Sequence, residues 1–230
     1  REIEKGNTKK VLGIWNTVSK AQKIYKEMQE RTENVELLHS CYIRRDRAFL
    51  EEKIMLFSES EKPGIWITTQ IVEASLDIDF DILYTEMCTA DSLLQRMGRC
   101  NRKGRYFPEE ANVIIYDNRN GVGKKSIYDP TMYDRSLKLL AEYEGIPFGE
   151  DRKTFYMNQV YDPKEIKETG YYKEIEEYLD KLDRIHSTDY KLKGAKVRDI
   201  KDVTVVPEEG YKEKKELFEH GVEFLREPHI

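Results

Sequence analysis

IWITTQIVEASLDIDFDILYTEMCTADSLLQRMGRCNRKGR, residues 65–105, is the stretch on which the reading of this chain turns. Residues 65–69 and 82–85 are short, almost unbroken apolar runs, the pattern of parallel strands buried on both faces. Residues 70–81 then form the loop or short turn between them. In an open parallel sheet, ligands bind beyond the carboxyl ends of the strands, which is where Thr68, Thr69, Asp77 and Asp79 are expected to project. After the second strand, Asp91 or Ser92 is suited to cap a helix whose apolar stripe is Leu93, Leu94 and Met97. Gln95, Arg99 and Arg102 recur at spacings of four and three, so a helix continued through them puts all three on one face. Gly98, inside that helix, costs about 1 kcal/mol relative to alanine and points to close approach by backbone or ligand. A guanidinium is permanently charged and offers planar paired donors, and two of them on one face suit a polyphosphate. The competing reading is a solvated basic face making surface ion pairs.

The flanking sequence repeats the strand–helix alternation. Residues 11–15 form a strand ending at Asn16 and Thr17, and 19–31 a helix with Ala21, Ile24, Tyr25 and Met28 inward. Residues 35–38 form a strand ending in His39 and Ser40, and 44–57 a helix with Phe49, Leu50, Ile54 and Phe57 on one stripe. Arg44, Arg45 and Arg47 cluster where this helix begins. Positive charge there opposes the helix dipole unless an anion binds, although Asp46 offsets part of it. Asn16 and Thr17 are equally suited to capping a helix and to meeting a phosphate. His39 lacks a second ligand at metal spacing and reads as a hydrogen-bonded strand-end residue. With a last strand at 112–116, residues 1–117 make an α/β domain with a doubly wound parallel sheet.

Residues 118–126, NRNGVGKKS, imitate a phosphate-binding loop but lack the required glycine and hydroxyl spacing, so 118–130 reads as a flexible basic linker. Residues 131–230 read as an accessory region, helical or α+β. Its expected elements are helices at 132–143, 166–185 and 211–225, with extended segments at 195–207. Tyr133, Leu137 and Leu140, and then Tyr171, Ile175, Tyr178, Leu179 and Leu182, are read as packing stripes.

Composition narrows the function classes. The 230 residues hold 39 Lys and Arg against 44 Asp and Glu, a formal charge of −5, so any nucleic-acid contact comes from local patches. Residues 91–105 supply one, with Arg96, Arg99, Arg102, Lys103 and Arg105. Three cysteines without metal spacing suggest free thiols in a reducing cytoplasm. No apolar run is long enough for a membrane span, and no export signal is evident. Arg1 in place of methionine suggests a fragment or processed chain.

TTQIVEASLDIDFD resembles motif V and QRMGRCNR motif VI of superfamily 2 helicases, and EASLDIDFDILYTE with DSLLQRMGRCNRKG resembles the CRISPR-associated helicase/nuclease of type I interference. The resemblance implies that residues 9–117 are the second of two RecA-like domains. It implies arginine fingers at Arg99 and Arg102, Gln95 beside the terminal phosphate, and Asp77 on ribose or on a finger arginine, with Gly98 at the nucleotide. Asn16, Thr17, Ser40, Arg44, Arg47, Thr68 and Thr69 would contact a DNA strand. The implied cofactors are ATP and Mg2+, bound mainly by a first RecA-like domain. The implied partners are that domain, an HD nuclease domain, single-stranded DNA and the Cascade surveillance complex. The implied action is 3′-to-5′ translocation. This sequence has neither the P-loop nor the acidic Asp-Glu box, so the chain alone is expected to be inactive as ATPase or nuclease. The alternatives are the C-terminal half of a superfamily 2 RNA helicase and a non-catalytic recruitment module.

Overall fold

The computed structural model describes Gly6, residues 8–74, 76–106, 110–123 and 126–183, and Lys212. Five strands, β1 (Lys10–Ile14), β2 (Val35–Leu38), β3 (Gly64–Thr68), β4 (Ile82–Glu86) and β5 (Val113–Tyr116), form one parallel sheet in the order β2-β3-β1-β4-β5. Every residue of β3 and β4 is buried, as are the last four of β1, which is why their sequences read as continuous apolar runs. In register, Leu12 lies between Trp66 and Leu83, and Ile14 between Thr68 and Thr85.

Alternate side chains of these strands feed two cores. Helix α1 (Val18–Gln29) covers one face, where Ala21, Val11, Trp15, Ile65, Ile67 and Tyr84 meet. Helix α2 (Arg44–Glu59) covers the other, where Ile54 packs with Leu12, Leu38, Trp66 and Leu83. The expected doubly wound α/β arrangement is therefore present. Thr17 caps α1, its hydroxyl accepting the Lys20 N–H at 3.3 Å. Phe49 departs from the expected stripe: it is 64% exposed, because only Ile54, Leu50 and Phe57 of that set face the sheet.

Helix α3 (Ala90–Met97) lies between β4 and β5, and beyond β5 helices α4 (Pro130–Leu140), α5 (Glu150–Val160), α6 (Pro163–Ile166) and α7 (Gly170–Asp183) follow one another. Tyr128 and Tyr133 share a core with Met87, Cys88 and Leu93, and Tyr156, Val160 and Met132 share another with Ala90. Residues 1–177 cluster as one compact unit. Helix α3 begins at Thr89, not at Asp91 or Ser92, and its Ala90 N–H is accepted at 3.0 Å by Ser136 Oγ of α4. A capping partner so distant in sequence leaves no local signal. The stripe expected on α7 is not buried at Ile175 and Leu179. The segments expected at 195–207 and 211–225 lie outside the described residues, apart from Lys212.

No helix among the described residues is long and apolar enough to cross a membrane. Cys88 and Cys100 are buried and Cys41 is exposed. Burial pushes both inner thiols up to about 12, so neither supplies thiolate at neutral pH. In the native protein at pH 8 a thiol-specific disulfide reagent is expected to label Cys41 within minutes and the other two only after denaturation. Native labelling of Cys88 or Cys100 at the rate of Cys41 would contradict this packing.

Candidate nucleotide and nucleic-acid site

The arginine-rich run does not continue α3. The helix stops at Met97, Gly98 is its C-cap with an ordinary right-handed backbone, and the Arg99 and Cys100 N–H groups bond back to Arg96 and Met97 in a tightened last turn. Asn101, at φ 50°, then reverses the chain. Gly98 is thus a helix end, not an interior glycine. Gln95 stands exposed on the helix, whereas Arg99 and Arg102 lie beyond it. The expected single helical face is replaced by a turn laid against the segment after β3. Phe80 N–H donates to Arg99 O at 3.0 Å, and Asn101 N–H to Phe80 O at 2.7 Å.

That turn is sewn to residues 70–79 by side chains. Arg99 Nε and Nη2 donate to the Val72 and Glu73 carbonyls at 3.1 and 2.7 Å. These carbonyls end a short 3-10 turn (Gln70–Val72), where unpaired acceptors collect. Arg102 pairs with Asp77, and the Asp79 carboxylate accepts the Arg102 and Lys103 N–H groups at 2.7 and 3.1 Å. Arg99, Arg102 and Asp77 are mutual electrostatic neighbours: burial and then Arg102 lower the Arg99 pKa, and Asp77 opposes them. Arg99 keeps its charge, since a guanidinium does not deprotonate in proteins, and among the described residues only two of its five N–H donors find a partner.

Arg96, counted in the sequence as part of a basic patch, is wholly buried. Its Nε donates to Glu73 Oε1 at 2.7 Å and its Nη1 to Thr85 Oγ1 and Glu86 O at 2.8 and 3.0 Å. Its Nη2 reaches Asn16 Oδ1 and the Tyr128 hydroxyl at 2.9 and 2.6 Å. All five donors are therefore satisfied, the condition under which a buried charge is tolerated. Burial pushes the Glu73 carboxyl up while Arg96 pulls it down. Burial also pushes the Tyr128 phenol up to about 12, so it stays neutral.

Glu86, at the buried end of β4, forms a second hub. It accepts the Asn16 N–H at 2.6 Å and the side-chain amides of Asn118 and Asn120 at 2.6 and 2.7 Å. Asn16 in turn donates to the Met87 and Asn120 carbonyls. The expected flexible linker is thus tied to the sheet: exposed Asn118 and half-buried Asn120 bond to Glu86, Tyr128 is buried against Arg96, and Val122 bridges Tyr128. Glu73, Glu86, Asn118, Asn120 and Tyr128 escaped the sequence reading. The one available signal was the glutamate closing an otherwise apolar strand.

The residues expected on DNA divide into two groups. Asn16 and Thr68 are buried and used internally, Thr68 Oγ1 donating to the Gly13 carbonyl at 3.0 Å, and Thr69 is also buried. None of the three presents a surface to a phosphate in this structure. Thr17 is a partly exposed helix cap, and Ser40, Arg44 and Arg47 are exposed at the carboxyl end of β2 and the start of α2. Arg47 pairs with Glu51 at 2.9 Å and Arg45 with Asp46 at 3.2 Å. The N-cap of α2, Ile43, gives no side-chain bond, so this terminus keeps its N–H groups beside three arginines. His39, behind Ser40, is buried, accepts the Cys41 N–H at 3.2 Å and has its pKa lowered by burial.

A family model described as CRISPR-associated nuclease/helicase Cas3, C-terminal, matches residues 7–105. Residues 7–105 are Cas3-like. The Cas3 protein of Methanothermobacter thermautotrophicus is 33% identical over 190 residues, covering 79% of this chain and 22% of its own length. The chain thus spans about a fifth of that relative. The crystal structure of T. fusca Cas3-ADP superposes with a TM-score of 0.60 at 23% identity, over 80% of this chain and 24% of the other. A chain of a CRISPR RNA-guided surveillance complex, pre-nicking, matches with a TM-score of 0.53 at 24% identity, over 76% and 24%. These likenesses support the Cas3 C-terminal helicase region and its RecA-like fold, the sheet described above.

Proposed function

We propose that this chain is the second motor domain of an ATP-dependent, 3′-to-5′ single-stranded-DNA translocase acting in type I CRISPR interference. The observation that carries the reading is the pair Arg99 and Arg102. Each is fixed on one side by oxygens of residues 72–77, and Arg99 keeps three donors with no partner among the described residues. A cation held this way needs little reorganisation to meet the charge that develops on a leaving phosphoryl group. ATP supplies that group, with Mg2+ neutralising its phosphates, and a partner RecA-like domain holds both. The ADP in the T. fusca Cas3 structure is in keeping with this.

Ser40, Arg44, Arg47 and Thr17 form the DNA-contacting edge, their cations and helix N-terminus facing phosphate. Asn16, Thr68 and Thr69 act from within, shaping the edge without touching the strand. The surveillance complex named for one structural neighbour makes Cascade the recruiting partner in this reading. An HD nuclease domain supplies the cutting activity.

The test joins this chain to a first RecA-like domain carrying the P-loop and acidic box, and measures ATP hydrolysis with single-stranded DNA, with RNA and with neither. DNA is expected to raise turnover at least tenfold, RNA less, and the chain alone to show none. Equal turnover in all three conditions overturns the motor reading, and a preference for RNA transfers the chain to the RNA-helicase class.

A further inference from the structure

We propose that Tyr128, which follows the sheet and immediately precedes α4, is a positioning residue for the arginine pair; this rests on the ATPase reading above. Its hydroxyl reaches one end of the 3-10 turn that holds Arg99 directly and the other end through Arg96. At one end it lies 3.4 Å from the Gln70 amide, which also donates to the Asn16 carbonyl at 2.7 Å. At the other end it accepts from Arg96 at 2.6 Å, and Arg96 grips the Glu73 carboxylate. Between those ends are the Val72 and Glu73 carbonyls that orient Arg99. One neutral phenol therefore ties down a turn whose own backbone contributes few hydrogen bonds.

Tyr128 is itself held. Its N–H donates to Gly121 O at 2.9 Å, and its carbonyl accepts from Gly123 N–H at 3.2 Å. Gly121 sits at φ 78°, and a Cβ there would lie 3.4 Å from Asn16 Cβ, so glycine fits both the conformation and the contact. The next residue, Asp129, caps α4 by accepting the Thr131 and Met132 N–H groups at 2.9 and 3.0 Å. Tyr128 thus adds a buried polar link between the segment before α4 and the arginine turn, beside the apolar packing of α4 on α3. Neither the arginine motif nor the aspartate loop includes this residue.

The test compares Tyr128→Phe with Tyr133→Phe in the complete motor. Tyr133 is also buried and loses its bond to Asp117, but it does not touch Arg96, so it reports what losing a buried hydroxyl does by itself. Tyr128→Phe is expected to lower DNA-stimulated kcat about tenfold with KM for ATP within about twofold, whereas Tyr133→Phe keeps kcat within about twofold. Hydrogen exchange over residues 70–77 should quicken in the first variant only. Equal kcat in the two variants, or exchange at 70–77 unaltered by Tyr128→Phe, overturns the proposal. The exchange readout decides it even if wild-type turnover is absent, an outcome that instead rejects the motor reading.

Discussion

Arg99→Ala in the complete motor is expected to lower DNA-stimulated kcat about a thousand-fold, the scale on which an arginine finger acts. The side chain is partly exposed and gives up two hydrogen bonds to carbonyls, so unfolding stability should fall by only about 1–2 kcal/mol. That separation of large kinetic from small thermodynamic effect is the diagnostic. Arg99→Lys should recover little, because one ammonium cannot hold two carbonyls in a fork while facing a phosphate. Steady-state ATP hydrolysis beside urea unfolding gives both quantities. Turnover within threefold of wild type would remove Arg99 from the reacting phosphate and with it the assignment of this turn.

Arg96→Met reverses the pattern: stability should fall by about 3–5 kcal/mol, the cost of breaking a buried charge pair by removing one partner. Methionine fills much of the space but abandons the Glu73 carboxylate, the Glu86 carbonyl, two side-chain oxygens and a phenol in the interior. Glu73, already pushed up by burial, then gains its neutral form more readily. Adding Glu73→Gln should return part of the loss, with a coupling energy of about 1 kcal/mol or more. A loss below about 1 kcal/mol for Arg96→Met would show that the polar interior does not depend on its charge.

The two arginines show why the sequence could be read for some features and not others. Strands β1 to β4 were legible because fully buried parallel strands have no alternation to confuse with loops, and Val11–Ile14 or Ile65–Thr68 admit few other readings. The resemblance implied Asp77 on ribose or on a finger arginine, and in the structure it pairs with Arg102. Spacing alone made Gln95, Arg99 and Arg102 one helical face, whereas tertiary bonds from Phe80 and Asp79 end the helix early and fold the arginines back. Arg96 looked like its neighbours because charge and motif say nothing about burial. Its partners come from positions 16, 73, 85, 86 and 128, and only the fold brings them together. The burial of Asn16 was hidden for the same reason. Helix α5 left too weak an apolar stripe to be noticed beforehand, although Tyr156 and Val160 are buried.

The bonds of Asn118, Asn120 and Tyr128 to Glu86 and Arg96 bear on how such domains exchange parts. The match to the family model ends at residue 105, yet residues that hydrogen-bond its Glu86 and Arg96 lie beyond it. The block covered by that match is therefore smaller than what must fold together. A recombination joint placed just after the motif would bring in a foreign tail without the matching amides and phenol. Swapping the C-terminal helices requires carrying the residues before α4 along with them.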